Sequence, residues 1–103
     1  MGTAASAFRS LADSRLEALK SKSAADLLLL QPESEEVVQV LDRSGSISVM
    51  VEAIDSRTVQ VIVQGSLRFR WWPFGSDWFA DGFRKTEDGA LLPVPTEVIR
   101  IYD

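Results

Sequence analysis

The chain has 103 residues, 46% of them apolar and 25% charged, with a net charge of −4. This is the usual size of one domain, able to bury roughly 65% of its unfolded surface without metal or disulfide support. It holds no cysteine and no histidine, which excludes disulfide scaffolds, thiolate or imidazole zinc sites, and Ser-His-Asp or Cys-His nucleophile systems.

The helical signal comes first. From Ala4 to about Lys20, Ala5, Phe8, Ala12, Leu16 and Leu19 recur at spacings of three and four, one stripe of an α-helix. Arg9, Asp13, Glu17 and Lys20 are left on the wet side. Ser21-Lys-Ser23 interrupts the pattern, and Ser23 followed by Asp26 has the spacing of a capping box. A short second helix from Ala24 to about Leu30 is expected, ended by Pro32. Its four leucines, Leu27 to Leu30, cannot all face one side. Either the helix is engulfed or one leucine reaches toward a partner.

Glu33-Ser-Glu-Glu36 reads as a solvated acidic hinge. Beyond it the period falls from 3.6 to 2. Strands are expected at Val37–Leu41, Ser46–Ile54, Thr58–Gln64 and Leu67–Trp72, with turns at Asp42–Gly45 and Asp55–Arg57 and a reversal or bulge at Gly65-Ser66. Short connections force antiparallel pairing, hence a meander. Pro73–Asp77 reads as a loop, Trp78–Ala80 as a helical turn, Phe83–Thr86 as strand and Glu87–Gly89 as a hairpin turn. Leu92–Pro95 is extended and confined to a sheet margin by its prolines, and Glu97–Tyr102 alternates as a last strand.

The fold expected is α+β: one domain over residues 1–103, with two helices (about 4–31) packed on one face of a five- or six-stranded antiparallel sheet (about 36–102). The layout resembles superfolds in which a sheet wraps a helix, such as cystatin-like domains; a layout by itself implies no activity. No apolar run is long enough to span a membrane, and Met1–Ser10 lacks the basic leader and apolar block of a secretory signal. Absence of cysteine fits a reducing cytoplasm.

The densest information lies in residues 66–83, which hold all three tryptophans and four of the five phenylalanines. Rings in such number mark either a core keystone or a recognition surface. The segment is also locally basic, because residues 66–85 carry +2 and the remainder −6. Alternation sends Trp71 inward with Leu67 and Phe69, and Trp72 outward beside Arg68 and Arg70, where Met50 and Ile62 extend an apolar patch. Trp and Arg are enriched at binding hot spots. The expected site is therefore a protein-binding face of Met50, Ile62, Arg68, Arg70 and Trp72, the partner being another protein or a second copy. Alternatively the C-terminal strands cover Trp72 through Val98 or Tyr102. A rival reading is a small-ligand site, for example for a sugar, or a weak enzyme, built on the aromatic loop with Phe74, Asp77, Trp78 and Asp81.

No catalytic residue, metal or cofactor is assigned. Asp77 and Asp81, four apart on a helical turn, would form a carboxylate pair, but aspartates at caps and before glycine are ordinary turn chemistry. The acidic balance disfavours nucleic acid, since neutralising phosphates supplies nearly all non-specific affinity.

Overall fold

A computed structural model describes residues 3–40, 43–68 and 76–102. Helix α1 (Thr3–Lys20) and a short α2 (Ala24–Leu28) precede five strands, β1 (Glu33–Val40), β2 (Arg43–Ala53), β3 (Thr58–Arg68), β4 (Ser76–Thr86) and β5 (Leu91–Pro93). A final helix, α3, spans Thr96–Tyr102. The strands form one antiparallel sheet in sequence order, β1-β2-β3-β4-β5. The expected α+β class and antiparallel meander are present.

The helical stripe behaves as its spacing requires: Phe8, Ala12 and Leu16 are buried, with Leu11 and Leu19 packed beside them. Ser23 caps α2, its hydroxyl oxygen accepting the Asp26 N–H at 3.1 Å. Only α1 has the length of a helical layer, since α2 is five residues. Of its leucines, Leu27 is fully buried and Leu30 partly so, whereas Leu28 and Leu29 stand exposed. One turn of helix has room for only one inward stripe.

The inner sheet face is the alternating set Ile47, Val59, Val61, Val63, Leu67 and Phe83, clustered with Phe8, Ala12, Leu16 and Leu27. Lys85, on the same face, reaches the end of α1, where its ammonium donates to the Lys20 carbonyl at 2.6 Å. A cation there neutralises the negative end of the helix.

Four local expectations are corrected. The acidic segment Glu33–Glu36 is solvated, but it is the first half of β1, because its backbone pairs from Glu33↔Met50 to Glu36↔Ile47. The chain does not reverse at Gly65-Ser66: β3 runs straight through, and Gly65 pairs with Phe79. A Cβ on Gly65 would lie 2.3 Å from the Phe79 ring, so glycine there makes room for an aromatic ring across the strand. Trp78–Ala80 is strand, held by an eleven-pair ladder from Arg68↔Ser76 to Thr58↔Thr86. Lastly, Glu97–Tyr102 is helical. Pro95 begins that turn by accepting from the Val98 and Ile99 N–H groups at 3.0 and 3.2 Å. Glu97 in its first turn and Arg100 in its last suit the helix dipole.

The hairpin turn after Thr86 is as expected, with Gly89 at φ 93°. β5 is a three-residue margin strand ended by Pro93.

Candidate partner-binding face

The outer sheet face is set by strand alternation and register. Its rows run Val37–Ser46–Ser66–Trp78, then Glu35–Ser48–Gln64–Ala80, then Glu33–Met50–Ile62–Gly82, then Glu52–Gln60–Arg84. Neighbouring strands lie about 4.8 Å apart, so Val37 and Trp78 sit on backbones roughly 14 Å apart with two serines between them. Val37 is 78% exposed and Trp78 58% exposed, while Ser46 and Ser66 are half-buried. Two large apolar side chains thus flank a shallow floor of small polar ones.

The lower rows differ. Ile62 is only 1% exposed, so it is a packing residue and no part of an accessible patch. Its Cδ1 lies across Gly82, 2.7 Å from where a Cβ would stand. Gly82 is to the outer face what Gly65 is to the inner one. Met50, paired with Ile62, is half-buried. Beside them Gln60 is buried and accepts the Arg84 Nε–H at 2.9 Å. Helix α3 packs against β4, and its half-buried Val98 and Ile99 stand outside the inner cluster. That places α3 against β4 away from the inner core. The outer face is therefore sealed around Ile62 and open around Val37 and Trp78.

Of the other residues expected on this face, Arg68 ends β3 opposite Ser76, whereas Arg70 and Trp72 lie outside the described residues. Phe74 of the rival loop site lies outside them as well. Asp77, Trp78 and Asp81 all fall in β4. Trp78 and Asp81 are three apart on a strand and so belong to opposite faces. Positions 77 and 81 are roughly 13 Å apart along an extended backbone, too far for a carboxylate pair sharing one proton. Asp81 is engaged instead on the inner side: its carboxylate accepts the Gly82 N–H at 2.8 Å and lies 3.7 Å from Arg9. That guanidinium sits 4.4 Å above the Phe79 ring, which meets Phe8 edge-on at 5.7 Å. Phe79 and Asp81 on the inner side of β4 thus tie that strand to α1.

An open hollow lies at the far end of the sheet, between the β2–β3 and β4–β5 turns, lined by Asp55, Arg57, Thr86, Glu87 and Asp88 among others. Its polar groups serve the turns themselves. Asp55 accepts the Arg57 N–H at 2.7 Å, which holds its pKa below the ordinary value. The Thr86 hydroxyl donates to Asp88, lowering that carboxyl in the same way. Among the described residues no group of three or more acidic side chains is arranged to hold a metal ion, and no helix is long and apolar enough to cross a membrane.

Sequence reasoning left Val37 out of the face and read Trp78 as the start of a helical turn in the rival ligand site. The available signal was the doublet Val37-Val38: adjacent strand residues must face opposite ways, and only Val38 joins the inner core. Compared with known protein families, curated proteins and solved structures, the chain matches none.

Proposed function

We propose that this chain is a small, non-catalytic, cytoplasmic protein-interaction module whose simplest partner is a second copy of itself. In this reading both N-terminal helices cover the inner sheet face, and the outer face is left for the partner. The observation that carries it is the Val37–Ser46–Ser66–Trp78 row, an exposed indole and an exposed valine at the two ends of a shallow floor. Trp is the residue type most enriched at binding hot spots. A two-fold axis over such a face lets each copy satisfy the other. Arg68, Arg70, Trp72 and Met50 belong to the same proposal as flanking contacts. Ile62 leaves it, being buried. Lack of cysteine supports the reducing compartment.

Sedimentation velocity over a concentration series tests the reading. The wild-type chain should dimerise, and Trp78→Ala should keep its unfolding midpoint while dissociating about thirtyfold more readily, the size of a hot-spot loss. A wild-type chain that stays monomeric at its highest soluble concentration overturns self-association.

A further inference from the structure

Strand β1 is an edge of the sheet, with β2 on one side and, among the described residues, no strand on the other. The parity of its backbone is fixed at its start, where the Val51 N–H donates to the Pro32 carbonyl at 2.8 Å. In an antiparallel ladder, residues alternate between those whose N–H and C=O face the partner strand and those whose groups turn away. Since position 32 faces β2, so do Ser34, Glu36 and Val38, while Glu33, Glu35 and Val37 turn their backbone groups outward. All three of the latter are solvent-exposed. The side chains of that same set lie on the outer sheet face. Two of them are carboxylates, neither with an ion-pair partner among the described residues. The third acid, Glu36, lies on the inner side, where Arg15 neutralises it through two hydrogen bonds of 3.0 and 3.1 Å.

From this edge we infer a docking site for an extended cationic segment of a partner protein, which adds as a sixth strand beside β1. Strand addition draws affinity from main-chain hydrogen bonds and specificity from alternate side chains. Here the free donors and acceptors of Glu33, Glu35 and Val37 supply the first. The unneutralised Glu33 and Glu35 supply the second, selecting lysine or arginine at alternate positions, all on the outer face. Opposite charges facing across a strand pair are favourable, and like charges are not. The same rule keeps β1 from pairing with β1 of a second copy, which would crowd Glu33, Glu35 and Glu36 of each chain together. Charges on an edge commonly guard against aggregation. A pure guard rejects every strand; this edge discriminates by sign. The inference goes beyond the dimer proposed above: both involve Val37, but the dimer uses its side chain and Trp78, whereas this site uses the β1 backbone with Glu33 and Glu35.

The test is fluorescence anisotropy of the full chain with a labelled six-residue peptide of alternating lysine and valine, against one of alternating glutamate and valine. The lysine peptide should bind saturably and more weakly as salt rises, and the glutamate peptide should not bind. Val37→Pro removes an N–H that faces outward and spares the β1–β2 ladder. It should lower affinity about tenfold, the worth of one or two backbone hydrogen bonds. The Glu33→Gln, Glu35→Gln double variant should bind more weakly with a flatter salt dependence. A lysine peptide methylated on alternate backbone nitrogens gives the same answer without altering the protein, and should fail in the register that blocks its edge-facing amides. The inference is overturned if the lysine peptide does not bind, or if backbone methylation in both registers and Val37→Pro all leave binding intact, which would mark generic attraction between charges.

Discussion

Phe79 lies over Gly65 so closely that a Cβ on the glycine would stand 2.3 Å from one ring carbon and 2.5 Å from the next. The ring is hemmed in, since Phe8 meets it edge-on and the Arg9 guanidinium lies over it. Gly65→Ala should therefore destabilise the fold by about 1–3 kcal/mol, the usual cost of overpacking. Gly89→Ala is the control. Nothing lies within 4 Å of its absent Cβ, so only the positive φ is strained, and the loss should be about 1 kcal/mol. Urea titration of both variants checks the order.

Lys85 is 8% exposed and spends its charge on the last turn of α1. Lys85→Met keeps the aliphatic stem and removes the donor. About 1–2 kcal/mol should be lost, in line with a charge-assisted hydrogen bond at a helix C-terminus. Amide exchange should rise first near Lys20. An unchanged midpoint would mean that water serves that carbonyl equally well.

Ile62 distinguishes a sealed outer face from an open one. Ile62→Ala should cost about 2–4 kcal/mol as a buried truncation, whereas Val37→Ala, at an exposed position on the same face, should stay within about 0.5 kcal/mol. Thermal unfolding of the two variants side by side gives the contrast.

Acid stability follows from three carboxylates held below their ordinary pKa. Glu36 is lowered chiefly by its hydrogen bonds from Arg15, Asp55 by the Arg57 N–H, and Asp88 by the Thr86 hydroxyl. A carboxyl depressed in the folded state stabilises fully above its unfolded pKa, and that contribution fades as pH falls through the folded one. Stability should hold level from neutral pH to the ordinary carboxylate range and decline below it. Asp88→Asn should shallow the decline. Urea midpoints across an acid series measure it, and a slope identical to wild type would deny Asp88 its part.

Much of the fold was legible in the residues because local period reports which side of an element is apolar. The Phe8–Ala12–Leu16 stripe, the Ser23 cap, the alternation of Val59, Val61 and Val63, and the turn at Gly89 all needed neighbours only a few positions away. The candidate face was half legible: alternation gave its side of the sheet, but not which of its residues stayed open.

What the chain order could not reveal was decided by elements arriving from far along it. Gly65 looked like a break until Phe79, fourteen positions on, filled the space a side chain would have taken. Ile62 looked exposed until Gly82 let it lie flat across β4. Residues 96–102 alternate as a strand would, yet curl into a helix, because Pro95 offers a carbonyl to the next turn and β5 stops at Pro93. Periodicity records the preference of a segment for one wet and one dry side. Which side is finally dry depends on long-range packing, and only the tertiary structure supplies it.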